Sequence, residues 1–571
     1  MIVTYEDSGV VHFRFIDASH LRNQSLNFPI LTIAAFQNLI NDTGWSSLQV
    51  TTSQKFADHY QAYWAGFLEA NITRSLTEAH WLNTVAEMCQ EPLSVECKKL
   101  KKYLSANVRY VIEQFFRSGR TDEFWYQVGL QMWQLKGISD AYAGRFVDDS
   151  RQLTRDYLLS FKEEVLGIYL LQLSGDLGDI TEALKLKDLQ QRKNKFGVKM
   201  VSRPSCSALI KLVEGDVFLS HVTWSPYTGM LRVLKHYNFP WKVKGGSSDT
   251  IPGHSITFSS YPSVISSVDD FYITSAKLVT METTIGNSND ELWPLVKNGA
   301  RSSVLEPFRV MLANRLAVNG QQWVSYFQKQ NSGTYNNQWM IFDANLYSPD
   351  KPLPSEALLT VAEQIPGMVY YEDVTHVLRQ QTYWPSYNIP CFPVIYNASG
   401  YLEKRQAKYG EWYDYDKTAR AQMFRRDHHT VRDIISMHKL MRYNDFKHDP
   451  LSKCDCKPPY TGENGISARS DLNDPNGRYG LHAFEYRLHG GTDVKIVNYT
   501  MVNTINLLAT SGPTYDDQPP FEWSKVPHLE TKPHMHPDLW RFAPILTNFM
   551  DYELALDSRS EWNRPKLIPV F

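Results

Sequence analysis

The spacing of apolar residues changes character along the chain. Residues 1–50 read as an extended lead-in. In it "GVVHFRFID" alternates, whereas "TIAAFQNLINDTGW" has helical spacing that stops at Thr43-Gly44. From Gln54 to about Ser174 the pattern is mostly helical. Phe56, Tyr60, Tyr63, Trp64, Phe67 and Leu68 share a helical face, and "YVIEQFF", "FWYQVGLQMWQLKGI" and "FKEEVLGIYLLQL" continue the theme. Gly175-Asp176 and Gly178-Asp179 break it. Residues 181–205 are polar and rich in Lys, Arg and Gln. They offer no apolar face after Leu189 and predict an exposed linker, the kind of tract where proteolysis concentrates.

At Cys206 the texture shifts to β-branched and aromatic runs. "SALIKLV", "DVFLSHVTW", "HSITFSSYP", "FYITSAKLVTMETTI", "NQWMIFDANLY" and "MVYYEDV" predict strands. Glu214-Gly215-Asp216 predicts a hairpin turn between the first two. Helices are predicted at Leu305–Val318 and Thr430–Met441, and the chain beyond Asn444 is loop-rich. No repeat of solenoid or propeller period appears. The predicted class is α+β: a largely helical part over 1–180, a linker or pro-segment over 181–205, and a mixed part over 206–571, packed as one unit.

Composition narrows the function. With 571 residues and 43% hydrophobic residues the chain can bury a large core. A net charge of −2 and the absence of a long basic run exclude a nucleic-acid footprint. No apolar run is long enough to span a bilayer. Met1–Val10 carries Glu6 and Asp7 and does not read as a signal peptide. Five Asn-x-Ser/Thr sequons, at Asn23, Asn41, Asn71, Asn397 and Asn498, and two close cysteine pairs favour a secretory origin, with the leader missing from this sequence. Cys89/Cys97 and Cys454/Cys456 read as local disulfides or reduced thiols. A zinc half-site fits poorly, because no second pair lies at zinc-ribbon spacing.

Cys206 is the candidate for chemistry. It follows a Pro-containing polar segment and opens a strand whose hairpin partner carries His221 and Trp224. Hairpin arithmetic sets residues near 209 opposite 221 and brings Cys206 close to Trp224. A thiol near an imidazole is a plausible reactive site, although a buried cysteine is more often a small apolar residue. If the chain were cut between Ser205 and Cys206, the new α-amine, with a reference pKa near ~8, could serve as the base for the thiol. An oxyanion hole from Asn side chains or backbone N–H groups would complete such a site. His534/His536 lack a third ligand, so neither metal nor cofactor is predicted. Glu69 and Asp176 read as surface or cap carboxylates.

Many runs in register carry a family resemblance: "QAYWAGFLEANIT", "WQLKGI", "LSGDLGDI", "SCSALIKL", "FSSYPSVISSVDDFYI", "LVTMETTIGN", "NSGTYNNQWMIFD", "MRYNDFKHDPLS", "HGGTDVK" and "TSGPTYDDQPPFEWSK" among them. The chain resembles the phospholipase B-like family, related to the lamina ancestor protein. The resemblance implies an N-terminal nucleophile αββα sandwich, cut by autoproteolysis into two chains that stay associated. It implies Cys206 as nucleophile and new N-terminus after Ser205, with His221 among the catalytic residues and Trp224 in the substrate pocket, both near the thiol. It further implies Thr284 as a pocket wall, Asn388 as an oxyanion donor and Arg420 as the arginine near the nucleophile, with Arg426 the competitor. Cys89/Cys97 and Cys454/Cys456 match the family's disulfides, the second at closer spacing than in the family. The family name implies removal of acyl chains from phospholipids in lipid breakdown, in a lysosomal or secreted setting. Two rivals stay open: an amidase acting on N-acyl amides or peptides, and a non-catalytic binding protein. Association into a homodimer is also open.

Overall fold

The computed structural model describes residues 2–5, 11–14, 30–147, 149–201, 205–549 and 568–569. Most strands fall into two sheets. The larger, of eleven strands, runs from Met368–Asp373 through Leu359–Ile365, Asn337–Asp343, Leu278–Thr284, Phe271–Thr274, Ser255–Ser260 and Arg232–Asn238. It continues to Trp45–Thr52, Ile30–Leu39 and the two short N-terminal strands. Every pairing in it is antiparallel except one: Trp45–Thr52 lies parallel to Arg232–Asn238 over seven residue pairs. The second sheet orders Tyr383–Ser386, Ser205–Val213, Asp216–Pro226, Asp493–Asn498 and Leu508–Ser511, and then Ile545–Leu546.

Residue alternation sorts the cores. On the large sheet Val233, Tyr272, Trp339 and Ile341 face a core shared with the helices Asp58–Ile72, Val95–Ser118, Glu123–Tyr142 and Glu306–Leu316. Leu234, Phe271, Ile273, Met340 and Phe342 face the other way and meet Ala208, Ile210, Val217 and Leu219 of the second sheet. The far side of that sheet, with Leu209, Phe218, Val222 and Trp224, is covered by Ala419–Asp427 and Ile434–Met441. The layers are therefore helix, sheet, sheet, helix, an α+β arrangement with both sheets buried on two faces.

Helices Asp58–Ile72 and Glu123–Tyr142 cross closely because each places a glycine at the contact. A Cβ added to Gly66 would lie 1.9 Å from the Gln134 carbonyl oxygen, and one on Gly137 would lie 2.0 Å from that of Tyr63.

Three expectations are corrected. Residues 32–39, read as helical, lie in the strand Ile30–Leu39, and only Ile40–Thr43 is helical. The strand pairs on both edges, so its run of apolar residues reflects burial rather than a helix face. Glu69 and Asp176 are not surface groups. Glu69 is fully buried, ion-paired to Lys235 at 2.6 Å and accepting from Tyr237. Asp176 is buried and accepts from Thr334 Oγ1 at 2.5 Å. The described part of segment 181–205 is packed on the body, with Leu186, Leu189, Phe196 and Val201 buried. Arg203 and Pro204 lie outside the described residues.

Both cysteine pairs are disulfide-bonded, Cys89–Cys97 and Cys454–Cys456. Of the sequons, Asn41 and Asn397 are exposed, and Asn71 is half-buried. Asn498 caps a helix through Met501 N and donates to Asp216. Asn23 lies outside the described residues. No described helix is long and apolar enough to cross a membrane.

Candidate active site

The hairpin turns tightly at Glu214-Gly215, with Gly215 at φ 74°, where a residue without Cβ is favoured. The register is one residue off the expectation: Ala208 faces His221 and Cys206 faces Thr223. One residue decides the face. Cys206, His221 and Thr223 share the inner, inter-sheet side, while Trp224 points to the opposite layer, opposite Ser205.

The Cys206 thiol is fully buried and lies 3.8 Å from Glu282 Oε1. His221 Nε2 is 2.9 Å from the Glu282 carbonyl oxygen, which can only accept, so the ring proton sits on Nε2. Burial, then the charge of Glu282, pushes the thiol well above its ordinary range, although Lys495 pulls the other way. Burial, then the Lys495 charge, drives the imidazole well below its own. Both groups are therefore neutral, and a thiolate–imidazolium pair is not preformed. Glu282 is itself raised by burial and by Asp270 nearby, and it accepts from Tyr335 Oη at 3.1 Å.

The backbone of Cys206 is clasped from the other side. Its nitrogen donates to Asn388 Oδ1 at 3.0 Å. Its carbonyl accepts from Arg420 Nη1 at 2.5 Å, and the same Nη1 reaches Asn388 Oδ1 at 2.8 Å. Arg420 is buried, stacks over the Trp224 ring at 4.2 Å and is lowered to about 10 by burial. Arg426 instead pairs with Asp427 and Asp449. Asn388 holds φ 68°, a region asparagine tolerates, and its Nδ2 donates to the Thr284 carbonyl at 2.8 Å. Donation to an oxyanion would require that amide to turn. Thr284 is buried, and its hydroxyl is 3.4 Å from Glu282 Oε2.

The structure thus gathers Cys206, His221, Asn388, Arg420 and Thr284 around one backbone position and sets Trp224 beneath the arginine. Sequence reasoning missed Glu282, Tyr335, Asp493 and Lys495. Lys495 Nζ donates to Thr223 Oγ1 at 2.6 Å and to Asp493, which also pairs with Arg232. Ionisable residues inside strand-like runs, in "METTI" and "DVKIV", were the available signal. Next to Thr223 lies a cavity of about 100 Å³, walled also by Tyr261, Val268 and Asp269 and by Asn194, Lys199 and Met200 of segment 181–205.

The phospholipase B family model matches residues 32–547. The chain belongs to the phospholipase B family. It is 46% identical over 524 residues to the human "Putative phospholipase B-like 2", covering 90% of this chain and 85% of that protein. It is 36% identical over 524 residues to "Phospholipase B-like protein B" of Dictyostelium discoideum, covering 91% and 85%. Membership in this family supports a hydrolase role.

Proposed function

We propose that this chain is an N-terminal nucleophile acyl hydrolase that matures by cutting itself before Cys206. The Cys206 sulfur attacks the Ser205 carbonyl carbon, the C–N bond breaks, and the nitrogen takes up the thiol proton. Water then hydrolyses the thioester and frees the Ser205 carboxylate. The Cys206 freed at the new N-terminus attacks an acyl carbonyl of the substrate while its own α-amine carries the proton. Water releases the acid and restores the thiol. Burial makes the His221 imidazole a weak base, and its Nε2 proton is given to the Glu282 carbonyl; this supports a base other than His221, and the amine is the group that cleavage supplies.

The observation that carries the reading is the clasp on one residue. Asn388 and Arg420 grip the nitrogen and carbonyl of Cys206, while its sulfur faces Glu282. Asn388 Oδ1 would orient the new amine, and its Nδ2, once turned, would donate to the oxyanion. Trp224 and Thr284 would frame the pocket. The two chains stay associated after the cut. The substrate class is phospholipid, in keeping with the family, and the setting is lysosomal or secreted, in keeping with the disulfides.

Intact mass of the mature protein tests the cut: two chains are expected, the second beginning at Cys206, and Cys206→Ala should remain one full-length chain. A Cys206→Ala protein that still splits there would overturn the proposal. Processed protein offered phospholipid, N-acyl amide and peptide, with Cys206→Ala as blank, should turn over the phospholipid. Turnover of amide alone would make it an amidase, and turnover of none a binding protein.

A further inference from the structure

The thiol and the two side chains beside it have a second capacity. The Cys206 sulfur, a ring nitrogen of His221 and a carboxylate oxygen of Glu282 all lie within 4.8 Å of one another, and all three residues are buried. His221 gives its Nε2 proton to the Glu282 carbonyl, which leaves the lone pair on Nδ1, and Nδ1 has no hydrogen-bond partner among the described residues. A carbonyl holding the far nitrogen of a histidine is the orientation that metal-ligating imidazoles require.

The donor set selects the ion. Sulfur, imidazole nitrogen and carboxylate oxygen suit tetrahedral Zn²⁺, and three protein ligands leave its fourth position open. Mg²⁺ and Ca²⁺ want six or more oxygens. Charge fits as well: a thiolate and a carboxylate neutralise Zn²⁺ and a neutral imidazole adds nothing, so the complete site carries no net charge into a buried place. A tetrahedral ion with bonds of about 2.0–2.3 Å needs its ligands roughly 3.5 Å apart, so the sulfur and the Glu282 oxygen, 3.8 Å apart, close by about 0.3 Å and the wider separations by about 1.3 Å at most. On binding, the thiol and the Glu282 carboxyl release their protons to solvent.

We propose that Cys206, His221 and Glu282 form a Zn²⁺ site that holds the Cys206 sulfur and stops it from attacking the Ser205 carbonyl. Occupancy stands on the three ligands alone. The block on cleavage rests on the function proposed above. Coordination draws charge from the sulfur and ties it to the ion, which weakens it as a nucleophile, so the uncut chain should stay uncut while zinc is bound. Once the bond is cut, the α-amine of Cys206 can close a five-membered chelate with its own thiolate, so the mature chain should bind zinc more tightly than the precursor.

Co²⁺ is the probe, because thiolate ligation gives a near-ultraviolet charge-transfer band and tetrahedral geometry gives strong visible bands. The full chain titrated with CoCl₂ should show both at one ion per chain, and ZnCl₂ should bleach them. Cys206→Ser should lack the charge-transfer band, Glu282→Gln should weaken binding at least tenfold, and Cys391→Ser, which removes the other free cysteine of the described residues, should leave the spectrum unchanged. Far-ultraviolet circular dichroism checks that each variant is folded. A folded wild-type chain without the band, or a band that survives in Cys206→Ser, would overturn the site. For the block, the chain is made by cell-free synthesis with and without ZnCl₂. Cleavage should slow at least tenfold with zinc and resume on adding a chelator. Cleavage that proceeds equally fast with a spectroscopically occupied site would overturn the block. A chain that never cleaves even without zinc would refute the proposed function instead, and the cobalt spectrum would still decide the site.

Discussion

Replacing Glu363 by glutamine should change how the stability of this protein depends on pH. Glu363 is fully buried in the strand Leu359–Ile365. It accepts from Gln338 Nε2 at 2.6 Å, from Cys391 N at 2.6 Å and from Phe392 N at 3.2 Å. Burial outweighs these donors and raises its pKa from 4.5 to about 7. Below pH 4.5 both folded and unfolded chains carry the proton, and its stabilising effect is fully present. As pH rises the unfolded chain ionises first, so stability falls until about pH 7 and then stays low. The gap corresponds to about 3 kcal/mol. Unfolding entropy scaled to this chain length is about 1.2 kcal/mol per degree, so the gap amounts to about 2–3 °C in Tm. Glutamine does not titrate, and the hydrogen bond it loses is a constant offset. Asp176 and Asp270, also raised to about 7 by burial, titrate alike in both proteins and cancel in the difference. The assay is Tm by differential scanning fluorimetry at one scan rate, from pH 4.5 to 7.5. The variant's Tm minus the wild type's should rise by about 2–3 °C across that range. A difference that does not change with pH would refute the reasoning.

Three further outcomes are expected. Gly137→Ala forces a methyl group into the Tyr63 carbonyl and should cost about 1–3 kcal/mol, read as a Tm lowered by about 1–3 °C. Asp493→Asn leaves Lys495 buried without its carboxylate, a loss of about 3–5 kcal/mol, so Tm should fall by about 3–4 °C; no change would show that the pair contributes nothing. Asn388→Gly keeps the positive-φ backbone but removes the side chain that holds Cys206 N, and should slow cleavage before Cys206 about 100-fold by gel time course while leaving the circular dichroism spectrum intact.

The strands after residue 206 were legible because their alternation survives burial on both faces: Val233 and Leu234, or Trp339 and Met340, go to different cores. The Glu214-Gly215 turn was legible from its residues, but not its register, and one residue moved Trp224 to the far face. The strand Ile30–Leu39 was not legible, since its apolar run satisfies a helical period as well as a buried strand. Cys206 could be singled out by its place at the start of a strand. Glu282 could not be joined to it, because the contact spans two sheets and 76 positions along the chain. Nothing local in "METTI" announces that distance. The same holds for Glu69, whose partner Lys235 lies 166 positions away.

The single parallel pairing in the large sheet, Trp45–Thr52 beside Arg232–Asn238, joins a segment that precedes Cys206 to one that follows it. A backbone break ahead of Cys206 therefore cannot divide the molecule into two modules. Each fragment would own part of one continuous hydrogen-bonded surface, and parting them would unzip that surface along its middle. For a chain cut as proposed, continuity of the polypeptide would matter while this seam is being laid down and would be dispensable afterwards. Either half made alone would present a raw sheet edge, with nothing of its own to cover it.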